Sequence, residues 1–252
     1  MTTASSAALA RKLRARETVI GYWSALDVPV ATERIARLGY DYVCLDGQHG
    51  YLGYSGLLGS LQAIDAAGGA VGLVRVEVND ITPIGRALDA GAGGVIVPLV
   101  DTAADAAAAV ASVRYPPVGR RSFASNRSGL SPADANVANV VVAMIETASG
   151  LSEVDAICAT PGLDGVYVGP SDLSLAVGGA FPLDPAVSSE FEAAVVRVRE
   201  AARRAGIAAG IHTPNGTTAA RRLAEGFTVA SVASDLAHLE QIAHAHLEVA
   251  RG

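Results

Sequence analysis

The stretch ITPIGRALDAGAGGVIV, residues 81–97, contains the unit that decides the fold. It begins with a segment of helical period, continues through Gly91 and ends in a short apolar run at Gly94–Val97. Gly91 stands where the C-terminus of a helix needs a residue that tolerates positive φ. A short run without polar alternation is typical of a parallel strand that is buried on both faces. The segment therefore predicts one helix–glycine–strand unit.

The same unit recurs along the chain, with Gly39, Gly206 and Gly226 in the place of Gly91. Parallel strands crossed by helices form either a closed barrel or an open doubly wound sheet. Eight units without a G-x-G-x-x-G turn after the first strand favour the α/β fold of a (β/α)8 TIM barrel. The predicted strands are Thr18–Trp23, Tyr42–Asp46, Gly72–Val76, Gly94–Val97, Val140–Ile145, Gly165–Val168, Ala208–Ile211 and Thr228–Ala233.

Length and composition narrow the class of protein. The 252 residues fit one such barrel, so we expect a single domain over residues 1–252. A net charge of -6 argues against nucleic acid or an anionic membrane as the main partner, since both need a surplus of Lys and Arg. A small molecule is the expected ligand. We also expect a cytoplasmic protein, because the N-terminal segment lacks the order of a secretory signal and the two cysteines lie in apolar segments.

Two carboxylates are candidates for a metal site. The active site of a (β/α)8 barrel lies at the C-terminal ends of its strands, and Glu146 directly follows the apolar run Val140–Ile145. A carboxylate buried there without a neighbouring cation needs a partner or a metal. Asp172 lies in the turn after the sixth strand, and two carboxylates form a hard oxygen site suited to Mg²⁺ or Mn²⁺. Capping of the following helices is the alternative role for both.

The turn after the second strand and the end of the third carry the candidate acid/base and cationic groups. Asp46 lies within reach of His49, and an Asp that holds a His in one tautomer makes a general base near neutral pH. An ordinary hydrogen-bonded turn is the alternative. Arg75 ends the third strand and must meet an anion, either a substrate oxygen or a structural carboxylate such as Asp89.

Other polar residues have weaker claims. Four residues at the ends of the last two strands are further candidates for the barrel mouth: His212, Thr213, Ser231 and Ser234. Three histidines of the predicted C-terminal helix Asp235–Leu247 fit a solvated helix face: His238, His244 and His246. Three arginines of the loop after the fourth strand's helix are candidates for gripping an anionic substrate tail or a neighbouring subunit, with solvation as the default: Arg120, Arg121 and Arg127.

Five motifs in order resemble one family, the metal-dependent pyruvate aldolases of the HpcH/HpaI type. This family includes 4-hydroxy-2-oxoheptanedioate aldolase and 2-keto-3-deoxy sugar-acid aldolases, and the resemblance runs from about Gly21 to Ala233. The motifs are GYDYVCLDGQHG at residues 39–50, LDAGAGGVIVPLVDTAADA at 88–106, RYPPVGRRS at 114–122, MIETASGL at 144–151 and GLDGVYVGPSDLS at 162–174.

The resemblance implies a class II aldolase with a barrel of the phosphoenolpyruvate/pyruvate type. It implies that Glu146 and Asp172 bind Mg²⁺, Mn²⁺ or Co²⁺, that His49 with Asp46 is the acid/base dyad, and that Arg75 stabilises the enolate or carbonyl oxygen. The implied substrates are a 2-oxo acid, pyruvate or hydroxypyruvate, and an aldehyde. The candidate substrate-binding residues are Gln48, Arg75, Gly169, Pro170, Ser171, Asp172 and His212.

The resemblance also implies a homohexamer in which the C-terminal helix is exchanged between subunits. No Schiff-base lysine is available at a strand end, since the one lysine, Lys12, precedes the first strand. The sequence departs from the family pattern at Gln48, where Glu is usual, at Met144, where Gln is common, and at Ser122, where Gly is common.

Two other functions fit parts of the pattern. A lyase acting on CoA thioesters, of the citrate-lyase-β type, also carries an Ile-Glu-Thr-Ala segment, but the basic nucleotide-binding stretch is missing here. A 2-oxo-acid-binding relative that has lost catalysis is suggested by Gln48 and Met144.

Overall fold

The computed structural model describes residues 3–252, with side chains described from Ser6 onward. Met1 and Thr2, which begin the expected domain and its N-terminal segment, lie outside the described residues.

Eight parallel strands pair in chain order and close into a barrel, because β8 pairs back to β1. The predicted (β/α)8 TIM barrel is confirmed. Four strands have the predicted bounds, and the other four differ from them by one or two residues. The strands are β1 Val19–Ser24, β2 Tyr42–Asp46, β3 Val71–Arg75, β4 Gly94–Val97, β5 Val140–Ile145, β6 Gly165–Val168, β7 Ala208–Thr213 and β8 Val229–Ser234.

Helices fill the intervals between the strands, and the four glycines predicted to end helices have φ between 74° and 107°. A 3-10 turn, Pro185–Val187, precedes the tenth helix. The helices are α1 Thr3–Arg14, α2 Pro29–Ala36, α3 Tyr54–Ala67, α4 Ile81–Asp89, α5 Ala103–Val113, α6 Pro132–Ala138, α7 Ala148–Ser152, α8 Val154–Cys158, α9 Pro170–Ala176, α10 Ser188–Ala205, α11 Gly216–Ala224 and α12 Asp235–Arg251.

Two apolar layers hold the barrel together. One lies between the strands and the surrounding helices and includes Val43 and Val141. The other fills the barrel interior, where Leu9 and Leu13 of α1 pack with residues such as Val140 at the start of β5. Helix α1 therefore closes the N-terminal end of the barrel, and the C-terminal end stays open as the place for a site.

The barrel interior contains a buried polar group. The phenol groups of Tyr42 and Tyr167 each form a 2.6 Å hydrogen bond with Ser231 Oγ. Thr213 Oγ1 donates to the carbonyl of Ser231 over 2.8 Å, and both residues are fully buried. The prediction that Thr213 and Ser231 line the mouth is therefore wrong. A side chain at Gly21 would overlap the ring of Tyr42, since an added Cβ would lie 2.1 Å from it.

No helix in residues 3–252 is both long enough and apolar enough to cross a lipid bilayer. Helix α12 has no buried residue and extends to Arg251, four residues beyond the predicted end at Leu247.

Candidate active site

A cleft of about 240 Å³ opens at the C-terminal ends of the strands. It brings together nine of the ten residues predicted for metal binding, catalysis or substrate binding, with Gln48 as the exception. Its lining residues are Trp23, Ala25, Asp46, His49, Arg75, Met144, Glu146, Tyr167, Gly169, Pro170, Ser171, Asp172, His212 and Ser234.

Glu146 follows the last residue of β5. One of its carboxylate oxygens accepts a hydrogen bond, and the other has no hydrogen-bond partner. Its side chain is buried, with 3% of the residue exposed. Oε1 accepts the backbone N–H of Leu99 over 2.8 Å, whereas Oε2 is buried without a hydrogen-bond partner. Burial raises the pKa of Glu146, the N–H of Leu99 lowers it by less, and the charge of Asp172 raises it further. A buried carboxylate oxygen without a donor is a place where a cation stabilises the charged form.

Gly169 leaves room for that free oxygen. A Cβ added to Gly169 would lie 2.5 Å from Glu146 Oε2 and 3.0 Å from the Met144 methyl group. Only glycine, which has no side chain, lets the backbone after β6 approach the carboxylate this closely.

Asp172 lies exposed in the first turn of α9 and lines the cleft. The helix has no side-chain cap at Gly169, so Asp172 does not cap it. The helix after β5 is capped by Thr147, which accepts the N–H of Gly150, and not by Glu146. The geometry thus removes helix capping as the role of the two carboxylates, and both remain available to a cation.

Arg75 and Asp46 form an ion pair at the centre of the cleft. They end neighbouring strands and are register partners in the β2–β3 ladder. Arg75 donates from Nε to Asp46 Oδ1 over 2.9 Å and from Nη2 to Oδ2 over 2.5 Å. Burial by itself raises the pKa of Asp46, but the hydrogen bonds and charge of Arg75 hold it below its ordinary value. Asp46, and not Asp89, is therefore the carboxylate that Arg75 meets.

The predicted hydrogen bond between Asp46 and the His49 imidazole is not formed among the described side chains. Asp46 Oδ1 instead accepts the backbone N–H groups of Gln48 and His49 over 3.1 and 3.0 Å. The physical reason is that Arg75 and these two amides already occupy the carboxylate. His49 is exposed on the cleft wall, which leaves its ring free to meet a substrate.

Gln48 and Ser122 lie apart from the cleft lining. Gln48 follows Asp46 in a tight turn, and its side-chain Oε1 is buried without a partner, so the prediction that it binds substrate is not supported by its position. Ser122 is exposed in the loop after α5. Of the three departures from the family pattern, Met144 alone lines the cleft.

His212, near the end of β7, lines the cleft as a neutral ring. It meets the Trp23 ring edge to face, with ring centroids 5.5 Å apart. Burial lowers the pKa of His212 to about 4, and the positive charge of Arg75 adds to this effect. Ser234 also lines the cleft, and its Oγ caps α12 by accepting the N–H of Ala237.

The arginines predicted to grip a ligand have structural partners. Arg121 is buried and donates to Asp89 over 2.7 Å, and its guanidinium lies over the Tyr115 ring. Arg127 binds Asp65 and the carbonyl of Ala90. Both anchor the loop after α5 to the barrel because each carboxylate lies on a neighbouring helix. Arg120 remains exposed.

His238 is exposed, as expected for a solvated helix face, and it also has a hydrogen-bond partner. Its Nδ1 forms a 2.9 Å hydrogen bond with the Tyr22 hydroxyl, which ties α12 to β1. His244 and His246 are exposed, as expected.

Trp23 is a site residue that the pattern of polar groups at strand ends does not indicate. Its indole N–H donates to Asp46 Oδ2 over 3.0 Å, the Arg75 guanidinium lies 5.1 Å from its ring centroid, and the Tyr167 ring stacks on it. Its place near the end of the first strand was the available signal. The Leu99 amide gave no signal, since a backbone donor is not visible in sequence.

Comparison with known proteins gives consistent matches. Residues 19–241 match the family described as HpcH/HpaI aldolase/citrate lyase. The hydroxypyruvate/pyruvate aldolase of Rhizorhabdus wittichii is 40% identical over 234 residues, which cover 91% of this chain and 92% of that protein. A 5-keto-4-deoxy-D-glucarate aldolase of Enterobacter sp. is 38% identical over 231 residues, with 89% of each chain covered.

A solved structure matches over nearly the whole length. It is an HpcH/HpaI aldolase/citrate lyase family protein from Burkholderia cenocepacia, with a TM-score of 0.90 and 32% identity. The match covers 97% of this chain and 99% of that one.

Proposed function

The chain belongs to the HpcH/HpaI aldolase/citrate lyase family and is an aldolase, a carbon–carbon lyase, and from this premise we propose a metal-dependent reaction of a 2-oxo acid with an aldehyde. The proposed 2-oxo acid is pyruvate or hydroxypyruvate, the two substrates in the name of the Rhizorhabdus relative. The enzyme forms the enolate of this acid and adds it reversibly to the aldehyde. In the reverse direction it cleaves a 4-hydroxy-2-oxo acid.

The free, buried Oε2 of Glu146 is the observation that carries the proposal. Together with Asp172, it offers hard oxygen ligands, which suit Mg²⁺, Mn²⁺ or Co²⁺. Residues 3–252 contain no group of three or more His, Cys, Asp or Glu side chains able to hold a metal, so the proposed site is a pair. A pair of protein ligands leaves coordination positions for the substrate, as is usual for Mg²⁺. When bound, the divalent cation supplies positive charge that favours loss of a proton from the carbon next to the keto group.

Arg75 and the start of α9 would orient the 2-oxo acid. Nε and Nη2 of Arg75 are taken by Asp46, which fixes the guanidinium and leaves Nη1 to donate to the keto oxygen as charge develops on it. The N–H groups of Ser171 and Asp172 lie in the first turn of α9, where no side chain caps them, so they can donate to the substrate carboxylate.

His49 would move the proton at the aldehyde oxygen. Its ring is exposed to the cleft, and its backbone N–H is held by Asp46, so the turn that carries the ring is fixed. In the direction of bond formation the His49 ring would take a proton from C3 of the 2-oxo acid and return it to the oxygen of the new hydroxyl group, and in cleavage both transfers run in reverse.

We also propose that the protein is a homohexamer with exchange of α12, and that it works in the cytoplasm. Leu239 and Ile242 of α12 are 60% and 61% exposed, and a helix with apolar side chains in water is typical of one that packs on a partner. Cys44 and Cys158 are buried and unpaired, which agrees with a reducing compartment.

Exchange of the pyruvate methyl protons with deuterium, followed by NMR, tests the proposal. We expect exchange with Mg²⁺, Mn²⁺ or Co²⁺, and we expect Glu146→Gln to slow it by about 100-fold or more. The matched control is Glu190→Gln, the same change at an exposed carboxylate of α10, which should exchange like the wild type. Exchange that persists after chelation of all metal would overturn the proposal.

Measurements of pyruvate binding, aldol turnover and CoA-thioester turnover, made beside the exchange experiment, separate the two rival functions. Pyruvate binding without exchange or aldol turnover identifies a relative that binds 2-oxo acids and has lost catalysis. Turnover of CoA thioesters without turnover of free 2-oxo acids identifies a lyase of the citrate-lyase-β type.

A further inference from the structure

The first residue of α12 holds the loop that follows β1. The Asp235 carboxylate lies outside the cleft lining and accepts four hydrogen bonds. Oδ2 accepts the Ser24 hydroxyl over 2.8 Å and the N–H of Leu26 over 3.2 Å. Oδ1 accepts the N–H of Ala25 and that of Leu236, each over 2.8 Å. Three of the four donors therefore belong to the end of β1 and the loop after it.

The backbone before Asp235 is shaped for this contact. The β1–β8 ladder shifts register between Gly21 and Trp23, and the shift pairs Trp23 with Ser234. Ala233 has φ of 53°, in the left-handed region that an alanine rarely adopts. Ser234 is the N-cap of α12, so the helix does not need the Asp235 side chain for that purpose. Strained backbone of this kind persists where the surrounding structure enforces it, and here it brings the Asp235 carboxylate to the loop after β1.

Ala25 connects this contact to the turn that carries His49. Its carbonyl accepts the N–H of Tyr51 over 2.7 Å. Loop and turn fit closely at Gly50, where an added Cβ would lie 3.0 Å from the carbonyl oxygen of Ala25 and 2.3 Å from that of Asp46. Ala25 and His49 both line the cleft. The His49 turn is therefore held from two sides, by Asp46 and by Ala25.

These two supports act at opposite ends of the turn. At its start, Asp46 accepts three successive N–H groups, those of Gln48, His49 and Gly50. At its end, the N–H of Tyr51 donates to the loop after β1. The His49 ring must reach a substrate atom, and a displacement of about 1 Å in such a group costs up to about 100-fold in rate. A residue that fixes this loop can therefore control the rate without contacting the substrate.

We propose that Asp235 is a positioning residue for proton transfer, and that it acts by fixing Ala25 and, through it, the turn that carries the His49 ring. The inference rests on the proposed function and deepens it, since it adds a residue outside the cleft to the reaction. In that reaction the His49 ring takes a proton from C3 of the 2-oxo acid and returns it to the oxygen of the new hydroxyl group. A bond forms between C3 and the aldehyde carbon, and no oxidant or reductant is needed.

Asp235→Asn tests the inference in the full-length protein and its own assembly. The amide keeps one acceptor oxygen and has an NH2 group in place of the other, so two of the four donors lose their partner. With pyruvate and Mn²⁺, we expect the kcat of methyl-proton exchange to fall about tenfold or more. The Kd for Mn²⁺ and the KM for pyruvate should stay within about twofold of the wild type, because Glu146, Asp172 and Arg75 lie on other elements.

The matched control is Asp41→Asn, at the other end of β1. Asp41 accepts the N–H of Ile20 over 2.8 Å and the ammonium group of Lys12 over 2.7 Å. The variant therefore removes comparable support far from the cleft, and we expect a similar loss of stability. Its kcat should stay within about twofold of the wild type. An equal fall of kcat in both variants would show that the rate follows global stability, and it would overturn the inference.

A double-mutant cycle with His49 separates positioning from a general structural role. In the His49→Ala background, the residual metal-dependent exchange is measured with and without Asp235→Asn. The second change should alter it by less than about twofold, because the ring that Asp235 positions is gone. A structural role would lower the rate by the same factor in both backgrounds, and that result would contradict the inference.

Amide hydrogen exchange of the wild type is a measurement that needs no variant. The N–H groups of Ala25, Leu26 and Tyr51 should open together, with protection factors within about threefold of one another, because Asp235 holds the loop to which the turn is bonded. Much faster exchange at Tyr51 than at Ala25 would show that the turn moves independently of the loop, and the inference would fail.

The outcomes separate the inference from the function on which it rests. Metal-dependent exchange in the wild type, with an unchanged kcat in Asp235→Asn, overturns the inference and leaves the proposed function standing. Absence of metal-dependent exchange in the wild type overturns the proposed function and the inference with it.

Discussion

At the scale of single residues, the orientation of Glu146 depends on the backbone of Leu99. Leu99 has φ of 52°, in the left-handed region that a leucine rarely adopts, and its N–H donates to Glu146 Oε1. Backbone strain of this kind persists where the surrounding structure enforces it, often at functional sites. One carboxylate oxygen is held by a main-chain donor, and the other is turned toward Gly169.

Gly169→Ala should weaken metal binding while sparing the fold. The new Cβ would meet the ends of two flexible side chains, Glu146 and Met144, and not the backbone, so the carboxylate is displaced at little cost to stability. We expect the Kd for Mn²⁺, measured by calorimetry, to rise about tenfold or more.

The control for this change is Gly85→Ala in α4. An added Cβ there meets no atom within 4 Å, and alanine in a helix should add about 0.5–1 kcal/mol of stability. Its Mn²⁺ affinity should equal that of the wild type. Equal affinity in Gly169→Ala would remove Glu146 Oε2 from the proposed metal site.

The stability of the metal-free protein should depend on pH through His212. Its pKa is about 4 in the folded state against an ordinary 6.5, so the unfolded chain binds more protons between these values. The stabilising contribution is present above about pH 6.5 and is lost as the pH falls toward 4. From about pH 7 to about pH 5, the wild type should lose about 1–2 kcal/mol more than His212→Gln in urea unfolding. Equal losses would contradict a His212 ring that is neutral in the folded protein.

The sequence predicted those residues of the candidate site that lie at the end of a strand. Glu146, Arg75 and Asp46 carry that signal, since each follows or ends an apolar run. The pairing of Asp46 with Arg75 was not predicted, because the proximity of His49 in sequence suggested a local partner. The true partner depends on the register between β2 and β3, which places the two side by side.

At the scale of elements, the strands were easier to predict than the places where they end. Strands β2, β4, β5 and β6 are apolar runs between glycines or polar residues, and their predicted bounds are correct. Strand β7 continues to Thr213, beyond the predicted end at Ile211, because pairing with β8 keeps His212 and Thr213 in the ladder. Tertiary pairing of this kind leaves no mark in the local pattern.

Asp235 joins the start of α12 to the end of β1, and the strength of this connection can be tested. Asp235 accepts the Ser24 hydroxyl and three backbone N–H groups, those of Ala25, Leu26 and Leu236. Asp235→Ala leaves these donors without their partner, and we expect a loss of about 2 kcal/mol in the free energy of unfolding. Glu240→Ala, an exposed change on the same helix, should stay within about 0.5 kcal/mol of the wild type in the same urea titration. Similar values for the two variants would show that Asp235 does not anchor α12.

At the scale of the whole molecule, the repeated unit predicted the barrel, but it did not predict how subunits associate. Eight repeats of one unit, without a G-x-G-x-x-G turn after the first strand, favour a closed barrel over an open sheet whatever the exact bounds of each strand. Helix α12 follows the last strand, and the repeated pattern does not predict where it packs. Its apolar residues repeat at helical spacing, as a core helix would, yet none of its residues is buried in the single chain.

The exposed apolar side chains of α12 therefore give a prediction about association. Leu239→Lys combined with Ile242→Lys puts two charges where a partner subunit is proposed to pack. We expect sedimentation velocity to show the wild type as a large oligomer and the double variant as smaller species, with the circular dichroism of the barrel retained. The control is the pair Glu240→Lys and Glu248→Lys, which changes the charge of the same helix more strongly at exposed polar positions. Dissociation of the control alone, or a wild type that sediments as a monomer, would contradict packing through Leu239 and Ile242.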